Sequence, residues 1–362
     1  MRLYFNPAVL CLYAGVVSRV WAKQHAATTE MPSHLRRPSI SHLSLIDGYS
    51  GALRYQYDPS RLQVPQIASM VNCHGFVLDE NDNIFMTYET NNTLAPDHCL
   101  IQWNSDGTSP RFVNTSAQLC AGTAHGLTIS REATTEFLYH ANNDQRLTKT
   151  FLNGTIVWQS LSRFDHNSSD YRPTWMAVPP DGPYIYLCDG YGSNYVYLVD
   201  RETGQYLGQK WGGRGDEHGE FATNHGCVYD PVYDQIVVAD REHGRLEYFD
   251  YYTVDSGKKI YGVFDYSHTV ETRQHGVVST KIYSRPCILR RQPQQGNLAA
   301  VPDLTGTVQI VDEQNTVVSV VNVSHILGHL GHLHPHDAQI LTNGDLIVAT
   351  WNPGRVSYWK RM

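Results

Sequence analysis

From about residue 70 to the C-terminus, short apolar runs alternate with polar positions and are separated by turn-forming residues. The stretch "NHGCVYDPVYDQIVVADREHGRLEYFD" (224–250) shows the pattern. One apolar run opens at His225, a second ends at Asp240-Arg241-Glu242, and a third follows Gly244-Arg245. Period-two alternation of this length, broken by Asp, Pro and Gly, predicts short β-strands joined by tight turns.

The same unit recurs. Its counterparts are "CHGFVLDENDNIFMTYE" from Cys73, "AHGLTISREATTEFLYHANND" from Ala124, "PTWMAVPPDGPYIYLCDGYGSNYVYLVD" from Pro173, "PCILRRQPQQGNLAAVPDLTGTVQIVD" from Pro286 and "PHDAQILTNGDLIVATWNPGRVSYWK" from Pro335. Aligned on their second residues, the units begin at His74, His125, Thr174, His225, Cys287 and His336, at intervals of about fifty residues with one wider gap before Cys287. Units of this length with three or four strands each predict an all-β, six-bladed β-propeller. One blade cannot bury both its faces, whereas radial packing buries them and leaves few open edges. A fourth strand is expected in the variable residues of each unit, such as "GQYLGQKWG" before His225. The last unit stops at its third strand, so "IDGYSGALRYQYD" (46–58) is the expected donor that closes the ring, and 266–284 reads as a long rim loop. The competing architecture is a stack or sandwich. The domain reading is a signal peptide over 1–22, an N-terminal segment over 23–43 and the propeller over 44–362.

The leader changes the picture of where the chain works. Arg2 precedes an apolar stretch to Val17 that is too short and interrupted to span a bilayer, and Val20-Trp21-Ala22 fits signal cleavage. No other stretch has the length of a membrane helix. Asn-x-Ser/Thr sequons at Asn91, Asn114, Asn153, Asn167 and Asn322 point the same way, to a secreted or lumenal glycoprotein. Beyond Cys11 six cysteines remain, with no CxxC pair, and their connectivity stays open. A net charge of −7 with no basic stripe excludes nucleic acid as a partner. Nothing matches a nucleotide-cofactor motif.

Eighteen His against 28 Lys plus Arg ask for a reason. In a propeller the inner strands line a central channel, so His74, His125, His225 and His336, in register in four units, are expected to face one another. Three neutral imidazoles on rigid strands suit Zn²⁺ with a fourth position open, the catalytic form of such a site. The alternative is that each His-Gly is a turn whose imidazole bonds backbone, with no metal. His332 and His334 read as solvent-facing.

The stretch "HGCVYDPVYDQIVVADREHGRLEYF" resembles the NHL-repeat pattern of TolB-like propellers. More specifically, the chain from His74 onward is similar to the peptidyl-α-hydroxyglycine α-amidating lyases. That resemblance implies zinc on His125, His225 and His336, a catalytic Tyr191 in "CDGYGSN", an active-site Arg241 in "ADRE", and a role for Asp337 after the last His. The chain also departs from it. A family Arg aligns with "IFMTYETNN", where Glu89 stands; Gly192 replaces a cysteine; "IVVADRE" lacks another; and Trp175 replaces an Asp. A substrate carboxylate thereby loses one bidentate guanidinium.

The expected pocket holds Tyr191, Arg241 and Asp337 as catalytic groups, with His74, Tyr88, Trp175 and Trp351 against the substrate. Aromatic walls suit an apolar, unsaturated small molecule. The overall plan is similar to that of the fungal hetero-Diels–Alderases, which join a tropolone quinone methide to a humulene-type olefin. Three functions follow: such a cyclase as the leading reading, a zinc amidating lyase, or a non-catalytic binding propeller.

Overall fold

The computed structural model describes residues 49–93, 96–160, 171–272 and 284–362. The expected signal peptide, the segment 23–43 and the sequon at Asn167 lie outside these residues. Six antiparallel sheets form the blades of a β-propeller. Blade one comprises Met70–Leu78, Ile84–Thr90, Leu100–Trp103 and Arg111–Phe112. Blade two comprises Ala124–Glu132, Thr135–Asn142, Arg146–Phe151 and Ile156–Ser160. Blade three comprises Trp175–Ala177, Tyr184–Cys188, Tyr195–Asp200 and Tyr206–Gly212, the last being the strand expected in "GQYLGQKWG". Blade four comprises Asn224–Asp230, Gln235–Asp240, Arg245–Asp255 and Lys258–Glu271.

The N-terminal part of the ring divides between two blades. Tyr55–Tyr57 pairs with Trp359–Arg361 and completes blade six, which otherwise holds His334–Ile340, Leu346–Trp351 and Arg355–Arg361. Tyr49–Gly51 continues the neighbouring sheet, pairing with Ser319–Val321 as a fifth strand of blade five beside Arg290–Gln292, Leu298–Asp303, Thr307–Val311 and Val317–Val321. One edge is thus covered and one ring closed by the same short segment. The expected rim loop at 266–284 is corrected over its first residues, and 273–283 lie outside the described residues. Residues 266–271 finish the outer strand of blade four, because Tyr266 and His268 pair with Phe249 and Tyr248 and stack on His218 and Tyr248.

The high aromatic content fills the seams between blades. Trp103, Trp175 and Trp359 are fully buried, and one apolar cluster runs without a break through blades three, four and five. A disulfide joins Cys99, at the start of blade one's third strand, to Cys120 at the end of the short helix Ala117–Cys120. Cys73, Cys188, Cys227 and Cys287 are free and buried. Asn91, Asn114 and Asn153 are exposed, while Asn322 is half-buried and caps the helix Val323–Leu327 through its amide oxygen. Among the described residues no helix is long and apolar enough to cross a membrane.

At the axis a guanidinium replaces apolar packing. Arg290 donates from Nε to Asp337 Oδ1 at 3.1 Å and from Nη2 to Asp337 Oδ2 at 2.8 Å. Nη2 also reaches the Leu127 carbonyl at 3.2 Å, and Asp337 Oδ2 accepts from the Phe76 amide at 2.7 Å. The guanidinium lies 5.0 Å above the Trp175 ring. Burial raises the Asp337 pKa, and the paired Arg290 opposes the rise.

Arg290→Met leaves that carboxylate buried without its partner, and we expect it to cost about 3–5 kcal/mol of unfolding free energy in urea denaturation. Arg290→Met combined with Asp337→Leu is expected to cost less than the single change. A second prediction concerns His140, which is enclosed in blade two with Nε2 3.0 Å from Thr150 Oγ1. Burial brings its pKa down to about 3, against about 6.5 in an unfolded chain. Above pH ~6.5 neither state holds the proton. Below it only the unfolded chain takes one up, so stability falls by about 1.4 kcal/mol per pH unit until about pH 3. His140→Leu should remove one proton from the slope of unfolding free energy against pH between about pH 6 and pH 4.

Candidate functional site

Blades one, two, four and six each carry the repeated histidine on their inner strand, and the four rings meet at the axis. Ring centroids lie 4.6 Å apart for His74–His125, 5.0 Å for His125–His225, 4.6 Å for His225–His336 and 4.9 Å for His336–His74. For His125 and His225 the glycine that follows lets the next blade close in. A Cβ on Gly126 would stand 2.3 Å from the Thr174 carbonyl oxygen, and one on Gly226 would stand 2.3 Å from that of Cys287. Without side chains there, the inner strand of the next blade moves in and its carbonyl takes up the imidazole N–H. His125 Nδ1 donates to Thr174 O at 2.8 Å, and His225 Nδ1 donates to Cys287 O at 2.9 Å.

Those bonds fix which nitrogen keeps a lone pair, because a carbonyl can only accept. In both rings it is Nε2. That of His225 is engaged, since the Tyr191 hydroxyl lies 3.1 Å away. That of His125 has no partner, nor has either ring nitrogen of His74 or of His336. All four rings are buried, and burial keeps them neutral: it lowers the His125 pKa to about 3 and those of His74, His225 and His336 well below the usual value. The nearest nitrogens of His74, His125 and His336 lie within 4.8 Å of one another, so these three buried histidines are placed to bind a metal. The set implied by the resemblance has His225 in place of His74. In His225 both nitrogens have hydrogen-bond partners here.

Above the cage, Tyr191 keeps 37% of its surface exposed yet turns its hydroxyl inward. That oxygen donates to His225 Nε2 and accepts from Arg241 Nη1 at 3.2 Å, and the Arg241 guanidinium lies 5.4 Å from the phenol ring. Burial of the hydroxyl raises the Tyr191 pKa, with Arg241 pulling the other way. The phenol therefore stays protonated at neutral pH. Arg241 is itself held by Glu242, Nε to Oε1 at 3.1 Å, and Glu242 is in turn held by Arg285. The acid on the other side of Arg241 serves a different purpose. Asp240 turns into the blade, where it takes the Ala222 amide, Arg245 Nε and His243 Nδ1.

The remaining expected residues scatter around this centre. Trp175 lies fully buried against the cage, its ring 6.0 Å from His125 and 6.2 Å from His336. Asp337 belongs to the axial ion pair rather than to the mouth. Tyr88 is enclosed in blade one's core with Cys73. Trp351 is 37% exposed, lies tilted with its ring 5.8 Å from that of His334, and ends the second strand of blade six as Asp240 ends that of blade four. Glu89 accepts from Asn72 Nδ2 at 2.6 Å, which places a carboxylate where the resemblance implies a guanidinium. His332 and His334 are half-buried rather than solvent-facing, because His334 Nδ1 is drawn to the Leu304 carbonyl at 2.8 Å. Sequence reasoning missed Arg290, although a cation inside the apolar run "CILRRQ" was a signal. It also missed the Thr174 and Cys287 carbonyls, which left none. The far end of the axis, below Arg290, opens into a separate cavity of about 320 Å³ that Gln292, Gln339 and Thr128 help to line.

No protein-family model matches the chain. It is 31% identical over 98 residues to the peptidylglycine alpha-amidating monooxygenase of Rattus norvegicus, a match covering 26% of this chain and 10% of the relative. The corresponding Mus musculus protein is 30% identical over 98 residues, with the same coverage. The match thus spans about a tenth of the length of these relatives. Among solved structures, a protein of unknown function from Bacteroides thetaiotaomicron VPI-5482 superposes with a TM-score of 0.51 at 9% identity, over 81% of this chain and 70% of that one. That likeness bears on the fold alone. The chain is a six-bladed propeller with a limited similarity to peptidylglycine alpha-amidating monooxygenases.

Proposed function

We propose that the mouth formed by Tyr191 and Arg241 is the active site of a small-molecule enzyme, and that its reaction is a hetero-Diels–Alder cyclisation joining a tropolone quinone methide to a humulene-type olefin. The observation that carries this is the state of Tyr191. Its phenol is protonated, seated on a neutral imidazole and beside a guanidinium, so it is a hydrogen-bond donor rather than a base. A cycloaddition requires no net proton transfer. One C–O and one C–C bond form as π-bonds are lost, and charge builds on the quinone-methide carbonyl oxygen. Arg241 is a fixed donor for that oxygen, and the Tyr191 O–H, given to His225 Nε2 at rest, joins it when it turns to the substrate; both then stabilise the transition state more than the ground state. Holding both partners together removes the entropic cost of their encounter. The exposed Trp351 on the same rim supplies an apolar wall for the olefin. The imidazole cage takes no step in this scheme.

The leader and the sequons, together with the Cys99–Cys120 disulfide, support placing the enzyme in an oxidising, secretory compartment. A second reading, an amidating lyase, is favoured by the 98-residue similarity and by the histidine cage. Against it stand Glu89 in place of a second guanidinium and a tyrosine held in its acid form.

Tyr191→Phe and Arg241→Met should each lower kcat for the cyclisation by about 10²–10³-fold, the usual consequence of losing one donor, measured by product formation from the quinone methide and olefin. Unchanged turnover in both variants would sink the proposal. Glyoxylate release from an α-hydroxyglycine peptide, abolished by the same changes, would establish the lyase instead.

A further inference from the structure

We propose that the cavity at the far end of the axis is a binding site for a small neutral polyol, a single hexose ring or a molecule like it. The proposal is independent of the cyclisation at the Tyr191–Arg241 mouth, which uses none of these residues. The cavity is a product of the repeat. The third residue after the unit start is Val77, Thr128, Val228, Arg290 and Gln339 in blades one, two, four, five and six, and all five line the space. An odd step along a regular strand points to the opposite face. In four of these blades, however, the pairing register shifts beside the histidine, between Cys73 and Phe76, Ala124 and Leu127, Asn224 and Gly226, and Pro335 and Asp337. An extra residue of this kind turns the following side chains over, so a second ring of side chains faces the axis beyond the imidazoles. Blade three adds Val178, and all six blades contribute. At about 320 Å³ the space lies at the lower end of the ~300–1,000 Å³ range of small-ligand sites.

The polar groups of the wall are held in place with capacity left over. Arg290 spends Nε and Nη2 on Asp337 and Leu127, and its Nη1 has no hydrogen-bond partner among the described residues. Gln292 and Gln339 both donate Nε2 to the Ile340 carbonyl, at 2.9 and 3.2 Å. A carbonyl can only accept, so the free end of each amide is its Oε1 acceptor. Asp82 takes the Thr342 hydroxyl on Oδ2 at 2.7 Å and keeps Oδ1. Charge selects the ligand. An anion would stand against the Asp79 and Asp82 carboxylates, and a cation against the Arg290 guanidinium. An uncharged hydroxyl satisfies both kinds of group, accepting from Nη1 and donating to Oε1 or a carboxylate. Val77, Val178 and Val228 offer apolar surface to the C–H faces of a ring. Tyr229 offers its ring as well, its hydroxyl being given to Asp234 at 3.0 Å.

The test titrates D-glucose, D-mannose and myo-inositol into the full purified chain, with succinate and ethanolamine as the charged probes, read by calorimetry and ligand-observed NMR. We expect at least one neutral polyol to bind at one per chain and neither charged probe to compete with it. Gln339→Leu should weaken that polyol about tenfold, the effect of one hydrogen bond left unmade. Val228→Phe should fill the space and abolish binding. Arg290 is kept in both variants because it holds the axis. If Val228→Phe lowers the melting temperature too far to be measured folded, Gln339→Leu decides alone. A wild-type chain that binds none of the three polyols would overturn the proposal. So would a polyol affinity unchanged by Gln339→Leu, or succinate or ethanolamine binding that this variant weakens in place of polyol binding.

Discussion

One buried ion pair holds the centre of this molecule. Arg290 of blade five and Asp337 of blade six pair at the axis, and their hydrogen bonds reach blade two through Leu127 O and blade one through the Phe76 amide. The guanidinium also covers Trp175 of blade three. Charges so deeply buried are stable only when every lone pair and proton finds a partner. The pair therefore fixes the distances between the inner strands of five blades. Because Asp337 follows His336 in the chain, the pair also anchors the strand that carries the last imidazole.

The second constraint is steric. Gly126 and Gly226 have no Cβ, so neighbouring inner strands approach closely enough for a carbonyl to take the Nδ1 proton of the preceding histidine. The His-Gly pair thus combines the two readings its repetition invites. In His125 and His225 one nitrogen bonds backbone, as in a structural turn, and that bond aims the other nitrogen at the axis. Where the backbone partner is missing, in His74 and His336, both nitrogens stay free.

At the mouth, electrostatics separate two neighbouring acids by direction. Asp240 faces inward and is used up by Arg245, His243 and an amide, whereas Glu242 faces outward and spreads the charge of Arg241 towards Arg285. Arg241 keeps a contact for Tyr191 and none of the isolation that makes a strong carboxylate clamp. The same surroundings, apolar burial opposed by one guanidinium, leave the phenol a donor. The chemistry of the mouth is decided by these partners more than by the residue types.

Much of the fold was legible in the chain because a blade is a local object. Alternating runs, turn residues and a repeat near fifty residues follow from short-range packing, and six in-register starts are enough to imply a ring. The convergence of His74, His125, His225 and His336 followed from that ring alone. What the sequence could not carry was orientation across blades. Tyr88 and Trp351 occupy comparable strand ends, yet one is sealed in a core and the other stands on the rim. His74 and His225 are equivalent in the repeat, but Tyr191, from a different blade, engages only the second. Hydrogen-bond partners of buried groups come from residues far away in sequence, so only the closed ring determines which imidazoles are satisfied and which remain free to bind.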